Sequence, residues 1–109
     1  MQTTISARHC EITDSLRERA EAVAARLEKI SPHALEATIV FETEAHSQSE
    51  QTHKAEIRLH ARGRKVLIGV ADGADHRTAL DRAEEKLRPQ LEKATRPRQR
   101  APRASPLDS

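Results

Sequence analysis

Three histidines raise the question of a metal site, because neutral imidazole is a common ligand of zinc and other transition metals. His46, His53 and His60 recur at intervals of seven residues. The sequence predicts a loop at His46 and a strand that carries the other two. Along that strand His53 and His60 have opposite parity, so they face opposite sides of a sheet. No cysteine pair and no His-x-x-x-His spacing supports the site, and we therefore expect no metal and no cofactor.

Nucleophilic catalysis is a second candidate, because Cys10 directly follows His9. Adjacent residues in an extended segment point apart, and a lone cysteine more often acts as a small buried hydrophobic side chain. Glycine occurs only at positions 63, 69 and 73, which excludes a glycine-rich phosphate-binding loop. The carboxylates are predicted to lie on solvated faces. We therefore predict that the protein is not an enzyme and takes no small-molecule substrate.

Positive charge is unevenly distributed along the chain, although the net charge is only +2. Residues 1–92 hold 14 Lys and Arg against 16 Asp and Glu, whereas residues 93–109 hold five against one. A basic arm of this kind attracts phosphates and releases their counterions, which indicates a polyanionic partner. The alternative is a solubilising tail that binds nothing.

Basic side chains also recur before this arm. They follow one side of the second predicted helix, occupy a predicted hairpin tip and end the first predicted strand. Together with the tail they favour nucleic-acid binding. The single Phe and the lack of Trp and Tyr exclude a base-stacking platform, so recognition would use the phosphates, 2′-hydroxyls and shape of structured RNA. The candidate residues are Arg8, Arg62, Arg64, Arg82, Lys86, Arg88, Lys93, Arg96, Arg98 and Arg100.

The first thirty residues predict a strand followed by a helix. Gln2 to Ala7 favours the strand, and Thr13 is a good N-cap for a helix that ends at Ser31-Pro32. Apolar residues recur at helical spacing between these limits, which indicates one buried stripe. The stripe comprises Leu16, Ala20, Val23, Leu27 and Ile30.

Three further strands and a second helix are predicted after this helix. The strands cover residues 35–44, 53–61 and 65–71, and Gly63 is expected to take positive φ in the turn between the last two. The second helix begins after the N-cap Asp75, and Pro89 is expected to kink it or split it after Arg88. The buried face of the first of these strands is predicted to carry Leu35, Ala37, Ile39 and Phe41.

This order predicts an α/β two-layer sandwich, β-α-β-β-β-α, with a four-stranded mixed sheet and two helices on one face. The first two strands would be parallel and the last three antiparallel. Residues 1–95 are predicted to form one domain, and residues 96–109 a basic tail that stays disordered until bound. The sequence shows no signal segment and no membrane-length apolar run, so we expect a cytoplasmic protein, monomeric when free, with no membrane partner.

Several short segments resemble one family, the ribosome hibernation-promoting factors and ribosome-associated inhibitors, or sigma modulation proteins. The resemblance covers about residues 1–95. It favours the short, hibernation-promoting form, because we expect no C-terminal dimerisation domain of the kind that long members add and because the tail is basic. The segments are Ile5-Ser6-Ala7-Arg8-His9, Glu11-Ile12-Thr13, Leu16-Arg17, Leu27-Glu28-Lys29-Ile30, Asp75 to Asp81, Lys86-Leu87 and Gln90-Leu91.

The resemblance implies a fold similar to a double-stranded RNA-binding domain with an added first strand. It also implies binding to the small ribosomal subunit near the decoding centre. There the protein would occupy the path of messenger and transfer RNA and silence idle ribosomes in stress or stationary phase. A regulatory module that binds structured RNA away from the ribosome is the alternative. The residues foremost expected to contact ribosomal RNA are Arg8, Arg82, Lys86, Arg88 and Lys93.

Removal of residues 96–109 is expected to leave the fold intact, because no predicted core position lies there, and to weaken binding to ribosomes. Each phosphate contact that is lost lowers the slope of log affinity against log salt by about one. Circular dichroism tests the first expectation, and ribosome co-sedimentation at low salt tests the second. An unchanged affinity would show that the tail only solubilises the protein.

Overall fold

The chain forms one four-stranded sheet with two helices packed on one face. The computed structural model describes residues 1–45, 50–61, 63 and 66–94. Neither helix in these ranges has the length and hydropathy of a membrane span. In chain order the elements are β1 (Gln2–Arg8), α1 (Asp14–Ile30), β2 (Ala34–Ala45), β3 (Gln51–Ala61), β4 (Val66–Gly73) and α2 (His76–Ala94).

The predicted order and strand pairing are confirmed. The strands lie in the order β1-β2-β3-β4. β1 pairs with β2 in parallel, whereas β2 with β3 and β3 with β4 are antiparallel. Gly63, between β3 and β4, has φ +85° as predicted. The predicted domain end at residue 95 and the basic tail lie outside the described residues.

Helix α1 begins and ends where the sequence predicts. The Thr13 Oγ1 accepts a hydrogen bond from the Leu16 N–H at 3.1 Å, which satisfies one of the free donors of the first turn. At the other end the Ser31 N–H donates to the Leu27 carbonyl at 2.9 Å. The predicted stripe is buried as far as Leu27, and Ile30 is half-buried.

Helix α2 is capped by Asp75, whose Oδ1 accepts the Thr78 N–H at 2.7 Å. This hydrogen bond is the main reason that the pKa of Asp75 is lowered. Pro89 lies inside the helix, and α2 continues past it without a break. Of the two predicted effects, a split after Arg88 is wrong, and a kink stays a prediction. Proline removes one backbone donor, and the burial of Leu91, which is 1% exposed, holds the following turn against the core.

Alternate residues of β2 and β3 supply the sheet side of the core, as predicted. Leu35 departs from this pattern, because it is 58% exposed and Ala34 is buried in its place. The pairing of β2 with β3 shifts register between Ala34 and Glu36, and this irregularity reverses the parity at the start of the strand. The buried residues of the two strands are Ala34, Ala37, Ile39, Phe41, Ala55, Ile57 and Leu59.

The other face of the sheet, which we call the open sheet face, carries its side chains in rows across the four strands. Strand register aligns residues of the same parity, so each row has one residue from each strand. The row at the end of β1 is Arg8, Glu42, Lys54 and Asp72. The following rows are Ser6, Val40, Glu56 and Val70; Thr4, Thr38, Arg58 and Ile68; and Gln2, Glu36, His60 and Val66.

Gly69 permits α2 to pack very closely on β4. A Cβ at this position would lie 2.4 Å from the Ala83 carbonyl oxygen and 3.0 Å from the Leu87 Cβ. Both neighbours belong to the buried side of α2, and a helix backbone cannot yield locally as a flexible side chain can. Glycine is therefore required at this contact by lack of space.

Substitution of Gly69 by Ala is expected to lower the free energy of unfolding by about 3 kcal/mol, because the added methyl overpacks the contact. Thermal melting should show a Tm lower by roughly 10 °C or more. Val70→Ala, one residue along and on the open sheet face, serves as the matched control and should cost about 1 kcal/mol or less. Equal melting of the Gly69 variant and the native protein would contradict the close packing of α2 on β4.

Candidate nucleic-acid interface

One side of α2 borders β4 and carries three of the predicted basic residues. Among the described strands β4 lies at one edge of the sheet, so none of these strands pairs with its outward carbonyls. The Arg82 Nη1 donates to the Asp72 carbonyl at 3.1 Å, and the Gln90 Nε2 donates to the Ile68 carbonyl at 3.0 Å. Side chains of α2 thus cover the edge of the sheet. We call this surface the α2–β4 flank; its exposed polar residues are Arg82, Lys86, Gln90 and Lys93.

The direction of α2 brings the flank towards the turn between β3 and β4. Arg82 contacts the end of β4, whereas Gln90 contacts its first half. The two elements are therefore antiparallel, and Lys93 lies near the start of β4. The turn residues Arg62 and Arg64, and the tail residues, lie outside the described ranges. The tail candidates are Arg96, Arg98 and Arg100.

Arg88 lies on the opposite side of α2, facing α1, and is separated from the flank. Its Nη2 donates to the Glu84 Oε2 at 3.1 Å. Arg26 of α1 forms two hydrogen bonds with the same carboxylate, at 2.8 and 2.9 Å. Glu84 is only 7% exposed, so the expectation that the carboxylates lie on solvated faces is wrong at this position. From helical periodicity the sequence grouped Arg88 with Lys86, and it gave no sign that Arg88 pairs with Glu84.

These contacts also set the protonation of the groups involved. The Arg26 guanidinium lowers the pKa of Glu84, mainly through its hydrogen bonds, against the opposing effect of burial. The same hydrogen bonds raise the pKa of Arg26. A second bidentate pair joins Arg19 to Asp81, with its shortest bond at 2.9 Å. The groove between α1 and α2 therefore pairs its arginines with carboxylates and offers little net attraction to phosphate.

Arg8 is also remote from the flank. It ends β1 on the open sheet face and shares its row with Glu42 and Asp72. β1 and β4 are opposite edges of the sheet. The structure therefore brings together only Arg82, Lys86 and Lys93 among the candidates that it describes.

The structure also contains a histidine cluster that the sequence did not predict. His53 and His76 meet edge to face with ring centroids 4.7 Å apart. The Thr43 hydroxyl lies 3.3 Å from the His53 Nδ1 and 3.0 Å from the His76 Nε2. His53 and His60 face opposite sides of the sheet as predicted. Among the described residues no three His, Cys, Asp or Glu side chains converge on a possible metal position.

Substitution of Glu84 by Gln is expected to lower the free energy of unfolding by about 2 kcal/mol near neutral pH, because charge-assisted hydrogen bonds to two arginines are weakened. Folding lowers the pKa of Glu84, so this stabilisation is complete above the pKa of the unfolded carboxyl group. It is lost as the pH falls through the lower folded-state pKa. Urea denaturation of both proteins should therefore show their stabilities converging below about pH 4.

Glu85→Gln provides the matched control, because Glu85 is the exposed neighbour on the same helix. It should change the free energy of unfolding by less than about 0.5 kcal/mol. A Glu84→Gln deficit that persists undiminished in acid would mean that packing, and not charge, holds the two helices together.

Solved structures of known proteins share the fold of this chain. The N-terminal domain of Protein Y from Thermus thermophilus is 28% identical, with a TM-score of 0.72 over 86% of this chain and 99% of that chain. A ribosomal subunit interface protein from Coxiella burnetii has a TM-score of 0.75 over 86% of this chain and 97% of that chain. Its identity is 19%, so it shows the fold alone. A search of curated protein sequences gives no match.

The family profile described as sigma 54 modulation protein / S30EA ribosomal protein matches residues 3–99. The match spans both helices and all four strands, so it extends far beyond the short segments that carry the resemblance in the sequence. On this ground the chain belongs to the sigma 54 modulation and S30EA ribosomal protein family.

Proposed function

We propose that this protein binds the small ribosomal subunit near the decoding centre and silences translation by occluding the sites of messenger and transfer RNA. It would act during stress or stationary phase, as a factor of ribosome hibernation. The observation that carries the proposal is the family match over residues 3–99. Membership of that family associates the chain with the ribosome and with the regulation of translation.

The α2–β4 flank is the surface that best supports contact with ribosomal RNA. Arg82, Lys86 and Lys93 are exposed along it, and Gln90 adds an amide. Arginine and lysine bind phosphate oxygens without reading base sequence, which suits a structured RNA surface. Arg82 is already oriented by its bond to the Asp72 carbonyl. The ordering cost of a phosphate contact at this side chain is therefore reduced.

The other candidates have a smaller part in the proposal. Arg62, Arg64 and the tail arginines lie outside the described residues and remain candidate phosphate contacts by their charge. Arg8 and Arg88 contribute less, because carboxylates adjoin both side chains. Fewer net positive charges on those surfaces mean fewer counterions released on binding.

The mechanism in this proposal is steric. A rigid two-layer domain occupies space that messenger and transfer RNA need, and no covalent bond is made or broken. Affinity then depends on the number of phosphate contacts and on how well the domain fits the cleft, so it decreases strongly with salt. The protein would need no cofactor to act in this way.

Substitution of Lys86 by Glu is expected to weaken ribosome binding at least about tenfold, because one phosphate contact is lost and repulsion replaces it. The slope of log affinity against log salt should become shallower by about one. Ribosome co-sedimentation through sucrose over a range of salt measures both quantities. Arg17→Glu, the same charge change on an exposed position of α1, is the matched control and should bind nearly as the native protein does.

Two results would count against ribosome binding by this surface. Recovery of the native protein only in ribosome-free fractions of stationary-phase cells would refute the proposed function. Equal weakening by the Lys86 and Arg17 variants would refute the flank while leaving ribosome binding intact. Competition with generic duplex RNA addresses the alternative, since equal affinity for duplex and ribosome would favour a regulatory module that acts on other RNAs.

A further inference from the structure

The open sheet face has a charge pattern that is complementary to its own reversed copy. The row at the end of β1 alternates in sign from Arg8 through Glu42 and Lys54 to Asp72. If a second copy of this row faces the first in reversed order, each positive charge lies opposite a negative charge. Each of the other three rows has one charged side chain, which is Glu56, Arg58 or Glu36.

The net charge of this face disfavours RNA as its partner. Within the described strands it presents three basic side chains, Arg8, Lys54 and Arg58, against five carboxylates. A surface with excess negative charge repels a phosphate backbone. Mixed charges with apolar neighbours suit a protein surface instead. The carboxylates are Glu36, Glu42, Glu44, Glu56 and Asp72.

We infer that the open sheet face is a contact surface for a second copy of this chain. The two sheets pack face to face about a twofold axis that runs parallel to the strands, between β2 and β3. This operation places β2 over β3 of the partner subunit and β1 over β4 of the partner subunit. Each row therefore faces the same row of the partner subunit, with the order of its four residues reversed. The contact is isologous and closed.

This axis places opposite charges together and no like charges together. Glu42 faces Lys54 of the partner subunit, and by symmetry that pair occurs twice. Arg8 faces Asp72 of the partner subunit at the edges of the sheet. The other twofold axis in the plane of the sheet, perpendicular to the strands, would set Glu42 against Glu36 of the partner subunit. Repulsion between those carboxylates selects the first arrangement.

The same contact covers exposed apolar side chains. Val66, Ile68 and Val70 on β4 are 43%, 40% and 37% exposed, respectively. Val40 of β2 lies in the row of Val70. Aligned sheets pack with strands about 30° apart because each sheet is twisted. Within one row, the pairs next to the axis are therefore displaced less than the pairs at the sheet edges. Glu42 with Lys54 of the partner subunit is thus more diagnostic than Arg8 with Asp72 of the partner subunit.

The size of the face predicts a weak dimer. Four strands about 4.8 Å apart, each offering about seven residues at about 3.3 Å, give about 450 Å² per copy. The total of about 900 Å² is below the range of stable protein interfaces and within that of transient ones. We therefore expect a monomer in dilute solution, as the sequence predicts, and a dimer at high protein concentration. The α2–β4 flank lies in the helix layer on the other side of the sheet and takes no part in this contact.

Sedimentation equilibrium of the isolated protein tests this contact without ribosomes, so its outcome is separate from that of the proposed function. The average mass should rise from 12.2 kDa towards twice that value as the concentration increases. Glu42→Lys and Lys54→Glu should each weaken association at least about tenfold, because like charges then face each other twice. The double variant, Glu42→Lys with Lys54→Glu, should recover association to within about threefold of the native protein.

Two controls keep the result interpretable. Glu21→Lys on the exposed side of α1 should associate as the native protein does, and thermal melting verifies that every variant is folded. Concentration-dependent amide shifts in NMR spectra of the native protein should map to residues such as Val40 and Glu56. A native mass that stays monomeric at millimolar concentration, a folded double variant that does not recover, or shifts confined to the helices would each overturn the inference.

Discussion

The close contact of α2 with β4 is the constraint on which the rest of the structure depends. It requires a residue without a side chain at Gly69, since any Cβ there would meet the backbone of the helix at Ala83. Once α2 lies this near, its flanking side chains reach the edge carbonyls of β4, as Arg82 and Gln90 do. The same placement brings Glu84 within reach of α1. The hydrogen bonds and ion pairs on both sides of α2 thus depend on this one steric requirement.

The charges of the protein are sorted by surface, although their sum is small. One side of α2 presents cations to solvent, the other side pairs arginines with carboxylates, and the open sheet face alternates the two signs. Glu84 illustrates how this sorting arises. It is buried between Arg26 and Arg88, and because both arginines pair with its carboxylate, neither contributes net positive charge that could attract phosphate. Overall charge would not reveal this division, since +2 is also compatible with an even mixture.

Patterns that depend on local geometry were predictable from the sequence. Alternation identified the inward residues of β2 and β3, and the side chains of Thr13 and Asp75 marked the helix starts because capping is a local interaction. Patterns that depend on contacts distant in sequence were not predictable. The partners of Arg88 and the histidine pair required strands and helices to be placed first. The exposure of Leu35 was not predictable, because a register irregularity between two strands leaves no signal in the local sequence.

The pairing of β1 has a consequence for how the chain assembles. Among the described strands only β2 pairs with β1, and the parallel ladder joins Gln2 to Glu36 across the whole of α1. β2, β3, β4 and α2 instead meet their neighbours in sequence order. Contacts between nearby segments form sooner than those that close long loops, so we expect the meander and α2 to assemble first and β1 to join last. During synthesis β1 emerges before β2, and its mostly polar sequence suits a strand that stays unpaired in water until β2 is available.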